Sequence, residues 1–270
     1  MSMAGRLPLA ASLCCALAAP AQAAGGHFAV DDATILDVDE CQLEAWLERG
    51  GSASTLLHLG PACRVGPVEL GINIDRLQAK HRSPVTVFGP QVKAVAALGD
   101  RLSVGVVAIA GWQGDGPHAA VASLYAPVTV RVLPSLWLHG NAGRDWVAGR
   151  SASSRAGLAL EWQALDRLAV IGEGFRQAGA NFERVGLRWQ ASAFSIDLSR
   201  AFGASRTAMG WWALGVNGSF DVTAGARRPR QRQRRRAESP PQSTGRGRRA
   251  TPMSQSSAGS QRAGSTSLIE

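Results

Sequence analysis

In Val68-Glu69-Leu70-Gly71-Ile72-Asn73-Ile74-Asp75 every second residue is apolar. Positions 68, 70, 72 and 74 form one face, and 69, 71, 73 and 75 form a polar or small one. Side chains alternate sides along a strand, so this is a strand with only one face in apolar surroundings. The same period recurs at 155–163 (apolar at 156, 158, 160, 162), 184–190 (185, 187, 189), 194–199 (194, 196, 198) and 212–216 (212, 214, 216). Helical spacing fits none of these well. Working outward gives about twelve strands, near 41–49, 54–63, 66–77, 85–98, 101–112, 118–131, 134–146, 155–165, 168–176, 182–191, 193–202 and 209–220.

The connections alternate in kind. One set is tight: Gly99-Asp100, Leu133-Pro134, Leu165-Asp166-Arg167 and Ala191-Ser192-Ala193. The other is longer and polar: 78–84, 113–117, 147–154, 177–181 and 203–208. Short turns at one end and long loops at the other describe an up-and-down meander.

Three all-β architectures compete: a soluble sandwich, a soluble ligand-binding barrel, and a transmembrane barrel, which inverts the faces. The polar face decides. It carries Glu44, Glu48, Glu69, Asp75, Glu161, Glu173, Arg184, Arg188, Asp197 and Arg200, often beside Gly or Ala. After the first 24 residues the body has only Lys80 and Lys93 as lysines. Mixed Arg and carboxylate among small residues suits a crowded lumen where charges pair. The expected fold is therefore an all-β, up-and-down antiparallel transmembrane barrel. Glu44, Glu69, Asp75, Glu161, Glu173, Arg184, Arg188, Asp197 and Arg200 are expected to line its lumen. Val68, Leu70, Ile72, Leu158, Leu160, Leu187 and Leu214 are expected to face lipid. Trp112, Trp146, Trp211 and Trp212 near the long loops, and Trp137, Trp162 and Trp189 near the tight turns, suit interfacial belts, whereas Trp46 does not.

Residues 1–24 read as a secretory signal peptide: Arg6, an apolar run over 7–20, then Ala21-Gln22-Ala23 as a cleavage site. No later stretch approaches 18 apolar residues, so no helical membrane span is expected. Cleavage leaves two of the four cysteines, Cys41 and Cys63. If the first hairpin turns about Ser52, facing residues have numbers summing to 104, and this pair does. One cross-strand disulfide follows for an exported chain. A segment over 25–40 precedes the barrel at 41–220.

The net charge of +9 suggests a nucleic-acid or membrane-surface binder, until it is divided. Residues 226–270 hold eleven Arg against Glu238 and Glu270, so the whole excess sits there. Residues 1–225 hold 18 basic and 18 acidic side chains. The stretch 221–270 is expected to be a disordered basic tail. It reads first as the product of GC-rich DNA read out of frame, then as a solvated tail, and last as an arm for acidic surfaces. No aromatic residue follows Phe220, so nucleic acid is not an expected partner.

His27-Phe28-Ala29-Val30-Asp31-Asp32-Ala33, followed by Cys41-Gln42-Leu43-Glu44, resembles the start of proteobacterial outer-membrane proteins of the MetA-pathway-of-phenol-degradation type. Those begin with His, a few residues, two Asp, a short Gly-containing stretch, then a strand with Gln-x-Glu. The resemblance covers about 20 residues and departs from the pattern in the cysteine pair, the missing Gly and the basic tail. It implies an outer-membrane barrel that moves hydrophobic or aromatic solutes, and it carries over no catalytic residue.

The histidines at 58, 81, 118 and 139 make no metal-binding motif, and no cofactor is expected. His139 with Ser123 or Ser154 would be needed for an outer-membrane esterase or lipid-modifying enzyme. Asp31, Asp32, Asp37 and Asp39 read as a solvated acidic segment in preference to a cation site, or as part of a lumen plug. Arg144-Asp145, Arg184, Arg188 and Arg200 would line a constriction or pair structurally. The expected function is a channel or transporter for small solutes in the outer membrane. Outer-membrane lipid, a small solute and, during biogenesis, the barrel-assembly machinery are its expected partners. A terminal strand, 210–220, ending on Phe220 suits that machinery. The alternative of another class is a soluble periplasmic barrel binding an apolar ligand.

Overall fold

A computed structural model describes residues 26–51, 54–114, 119–204 and 209–222. The expected signal peptide, the turn residue Ser52, His118 and the residues beyond Val222 lie outside the described residues. Twelve strands run β1 (Glu40–Gly50), β2 (Thr55–Val65), β3 (Val68–Gln78), β4 (Val85–Ala97), β5 (Leu102–Gln113), β6 (Ala119–Leu133), β7 (Leu136–Val147), β8 (Ser153–Leu165), β9 (Leu168–Gln177), β10 (Ala180–Gln190), β11 (Phe194–Gly203) and β12 (Trp211–Asp221). Each pairs antiparallel with its chain neighbours, and β1 closes on β12, giving a closed barrel. Closure leaves no sheet edge with unpaired N–H and C=O groups. Pro61, Pro90 and Pro127, on β2, β4 and β6, fall in or beside gaps in the pairing. Proline has no N–H to give to the ladder.

The faces are inverted relative to a soluble protein. Leu70, Ile72, Leu158, Leu160, Leu187 and Leu214 are exposed, Leu158 at 64%, and Val68 at the strand end is half-buried. Buried side chains include Glu69, Lys93, Glu161, Glu173, Arg184, Arg188 and Asp197. The period-two sequence signal is thus satisfied with its apolar set outward. Trp146, Trp162, Trp189 and Trp212 point outward. Trp211 instead packs inward on Phe182 at 5.0 Å, and Trp46 stacks inward on His58 at 3.4 Å between centroids.

The first hairpin holds the expected register from Cys41↔Cys63 to Arg49↔Thr55. Cys41 and Cys63 are joined by a disulfide with a sequence separation of 22. Closing a loop of that length removes roughly 3 kcal/mol of unfolded-chain entropy in the chain-entropy model. Reduction, or a Cys41→Ser/Cys63→Ser chain, is expected to lower unfolding stability by about that amount, read as the shift in a urea midpoint in detergent.

The connection at 177–181, expected to be a longer loop, is a two-residue turn of Ala178 and Gly179. Both have positive φ, 50° and 85°, as in the hairpin turn whose twist matches the flanking strands. Glycine at the second position is the usual choice, and alanine at the first hides the signal. Asparagine tolerates this backbone better than alanine, so Ala178→Asn is expected to raise stability by roughly 1 kcal/mol in the same urea assay. The ends carrying Gly66-Pro67, 98–101, 134–135, 166–167 and 191–193 form the tight-turn rim, which also receives the starts of β1 and the end of β12. The opposite rim carries the longer loops.

Candidate functional site

The lumen is filled from the near end by the chain that precedes β1. Asp39 hydrogen-bonds the N–H of Val222 at the tight-turn rim, 3.0 Å. From there the segment climbs inside the barrel and crosses it. His27, Phe28, Val30, Asp32 and Ala33 are all buried. Of the expectations for this acidic stretch, the plug describes the fold; Asp31 and Asp32 are not solvated. Lys93 on β4 holds them at 3.0 and 3.3 Å, and the Tyr125 hydroxyl donates to Asp31 at 3.3 Å. Buried carboxylates need such a counter-charge.

A segment without regular structure must satisfy its backbone by other means. Here the wall side chains do it. Glu173 on β9 accepts from the N–H groups of Ala29 (3.1 Å) and Val30 (2.9 Å). Thr129 on β6 accepts from Ala33 at 2.8 Å, and Glu69 on β3 from Leu36 at 3.2 Å. Arg64 on β2 donates to the Leu36 carbonyl at 2.8 Å. Arg184 on β10 donates to the His27 carbonyl. The His27 ring meets the Ser199 hydroxyl on β11 at 2.6 Å. Turned so that both ends are satisfied, the Asn141 amide on β7 brackets Asp31, accepting from its N–H (2.7 Å) and donating to its carbonyl (2.9 Å).

Three inward glycines supply the volume. A Cβ on Gly157 would sit 2.6 Å from Val30, one on Gly186 2.9 Å from Phe28, and one on Gly215 2.8 Å from His27. The small residues interleaved with the wall charges thus mark where the segment lies.

The wall charges pair around it. Arg188 clasps Asp197 through two bonds, 2.7 and 2.9 Å, and Asn217 donates to Asp197 at 2.9 Å. The guanidinium also lies 5.5 Å from the Phe28 ring centroid. Arg184 reaches Glu173 at 3.3 Å and Glu48 at 3.7 Å. Arg155 pairs with Asp145 at 2.7 Å. Between the rims the inward carboxylates are Glu44, Glu48, Glu69, Asp75, Asp145, Glu161, Glu173 and Asp197. The inward cations are Arg64, Lys93, Arg155, Arg184 and Arg188. Eight against five, before Asp31 and Asp32 are added, makes the lumen electronegative. Burial, reinforced by the charges of Arg184 and Arg188, pushes the His27 pKa down from 6.5 to about 3.

Toward the long loops the lumen is lined by aromatic rings packed against Val30. Phe175 and Phe182 stack at 5.4 Å, Trp211 meets both edge-on, and Arg184 lies 5.2 Å over Phe175 and Trp211. Across from them His58, under Trp46, bonds Asp75 at 2.7 Å.

Two expected lumen residues lie elsewhere. Arg200 shares the outward parity of Ile196, Leu198 and Phe202, and its guanidinium lies 5.4 Å over both Phe202 and Trp212. Arg144 is exposed beside outward Trp146. Their charge suggested the lumen, whereas strand parity places them outside. The esterase pairing is not assembled either. Ser123 bonds Asp145 at 2.8 Å, and Ser154 accepts from Arg176 at 3.2 Å. His139 instead faces Thr129 at 2.9 Å and Glu161 at 3.7 Å, with the Thr129 hydroxyl held by Ala33 beneath the lumen segment. Among the described residues, no group of three or more His, Cys, Asp or Glu is placed to hold a metal ion.

A family described as "Uncharacterised conserved protein UCP029691" matches residues 12–220, which end one residue before the last strand does. No curated protein matches the sequence. Among solved structures, the chain is similar to "KdgM porin" at 10% identity and TM-score 0.56, covering 66% of this chain and 99% of that one. It is similar to "KdgM porin in complex with disordered oligogalacturonate" at 11% identity and TM-score 0.52, over 67% and 99% of the two chains. A NanC porin gives 10% identity and TM-score 0.53, over 65% and 98%. At such identity the likeness is one of fold.

Proposed function

Because the chain belongs to this family of conserved proteins, and because it folds as a closed barrel with apolar faces outward, we propose that it is an outer-membrane channel for small solutes, held shut by its own N-terminal segment. The observation that carries this is the segment itself. Residues 27–36 are threaded through the lumen and bonded to wall side chains from β2 to β11. Displacing them leaves a polar, charge-lined passage, as a pore requires.

Several features support the membrane reading. The strands are 10 to 15 residues long, enough to cross a bilayer at a tilt. Outward leucines would be costly to leave in water. β12 carries outward Phe220 one residue before its end, a suitable terminus for barrel-assembly machinery. Export by the segment 1–24 and residence in outer-membrane lipid follow from the same reading.

The solute is proposed from the mouth and the wall. Phe175, Phe182, Trp211 and Trp46 offer flat apolar faces, which fits the aromatic solutes implied by the resemblance of the N-terminal sequence. The excess of lumen carboxylates favours neutral or cationic molecules over polyanions. The solved relative was captured with oligogalacturonate; an electronegative wall does not suit that ligand here. Fractionation and planar-bilayer recording test the reading. A detergent-requiring, heat-modifiable band is expected in the outer membrane. A freely soluble periplasmic monomer would overturn it in favour of a soluble barrel.

A further inference from the structure

The outward face at the long-loop rim carries charge that the lumen does not use. One rung of the barrel runs Arg200↔Trp212↔Arg49↔Thr55↔Gln78, through β11, β12, β1, β2 and β3. Arg49 and Arg200 both project outward, separated by one strand, so their Cα atoms lie about 10 Å apart. Arg76 projects outward two residues before Gln78, and Lys80 and Arg82 follow in the exposed β3–β4 loop. Among the described residues none of these five cations has a carboxylate partner. The outward carboxylate at this level is Glu183 on β10, opposite Phe202 at the sector's edge.

The sector is shaped as well as charged. Arg49, Arg200, Met209 and Trp212 line one shallow depression at the rim. Lys80, His81 and Arg82 line another, two strands away. Arg200 is held between two rings, its guanidinium 5.4 Å over those of both Trp212 and Phe202. Its planar fork is thereby pre-positioned, as recognition of a phosphate needs. The tight-turn rim has no such surplus: Asp37, Asp39, Glu40, Asp100 and Asp166 accompany Arg101, Arg131 and Arg167 there.

We propose that this sector, Arg200–Trp212–Arg49 with Arg76, Lys80 and Arg82, binds the phosphate groups of a phosphorylated glycolipid in the leaflet around the long-loop end. The inference rests on the reading of the barrel as membrane-embedded. A lipid fits the position: the apolar flank of Trp212, Met209 and Phe202 meets acyl chain, while the cations stand at headgroup level. Long loops face the exterior in barrels of this kind, and the exterior leaflet of an outer membrane is rich in phosphorylated glycolipid.

The test uses the full chain in a neutral detergent, with diphosphoryl lipid A as probe and retention measured by native mass spectrometry. Arg49→Gln/Arg200→Gln is compared with Arg144→Gln/Arg176→Gln, which removes equal outward charge from β7 and β9. Loss of two charge-assisted contacts is expected to weaken retention roughly tenfold or more in the first protein. Retention in the second should stay within about twofold of the parent. Arg49→Lys/Arg200→Lys should fall between, because ammonium keeps charge but not the fork. Equal losses in both Gln proteins would overturn the site, since charge alone would then explain binding. Unchanged retention in the first would also overturn it. A heat-modifiable band in every variant shows that the barrel is intact. A chain that needs no detergent defeats the membrane reading itself and is recognised before any lipid is added.

Discussion

Arg188→Ala is expected to destabilise the barrel by about 3–5 kcal/mol, the usual cost of stranding one member of a buried ion pair. Arg188 is 1% exposed and Asp197 fully buried. Their two-bond clasp joins β10 to β11 near the tight turn that links them. Removing the guanidinium leaves Asp197 with Asn217 as its side-chain donor among the described residues, and it removes the cation beside Phe28. The effect should appear as a lowered urea midpoint with an unchanged slope. The companion Arg188→Ala/Asp197→Ala should be less destabilised than the sum of the two single changes, because neither charge is then left alone. A loss under about 1 kcal/mol for Arg188→Ala would show that water reaches the pair and that the wall is not as closed as described.

Evicting the lumen segment is expected to turn a silent barrel into a conducting one. Two routes lead there. Deletion of 27–36 removes the segment, while Gly157→Val/Gly186→Val fills the space that Val30 and Phe28 occupy and leaves the segment's own sequence intact. Overpacking at each glycine costs typically about 1–3 kcal/mol, enough in combination to favour the undocked state. In planar bilayers the parent should show no resolved steps, and both variants should show discrete ohmic steps. Under a salt gradient the reversal potential should take the sign for cation preference, given the excess of wall carboxylates. Silence from both variants in correctly folded protein would mean that something other than the segment closes the lumen.

Acid should act on the same docking equilibrium through His27. Docking depresses the His27 pKa from 6.5 to about 3, so between those values the undocked segment binds more protons than the docked one. Docking is therefore strongest above about pH 6.5 and weakens as pH falls, by up to about 1.4 kcal/mol per pH unit. Open probability should shift further toward opening in acid for the parent than for His27→Asn. Asp31 and Asp32 titrate beside Lys93 in both proteins, so the difference between the two isolates the imidazole. Identical pH profiles would remove His27 from the account.

Much of this was legible in the residues. Period two over 68–75 and its repeats located the strands. A turn placed about Ser52 set the expected register of the first hairpin, and Cys41 and Cys63 fall opposite each other in it, because pairing about a turn is arithmetic. The choice of an inverted barrel came from Arg and carboxylate among glycines. The same charges misled at Arg200 and Arg144, where residue type was given more weight than parity. Thr129, Asn141 and Tyr125 were missed as anchors, since their role depends on a segment about a hundred residues earlier in the chain. Gly157, Gly186 and Gly215 on the inward parity did signal missing volume. What fills it follows only from three-dimensional closure, which no local pattern reports.

The seat of the lumen segment includes the seam itself. His27 lies against Gly215 on β12, Gly26 donates to Glu44 on β1, and Val222 donates to Asp39. The part of the chain synthesised early thus has a seat completed only when the last strand arrives. Until β12 pairs with β1, residues 26–39 lack part of their seat and are more open to proteases. Protection of that stretch is a timestamp for finished assembly, and a stalled barrel carries its own degradation handle at the N-terminal side.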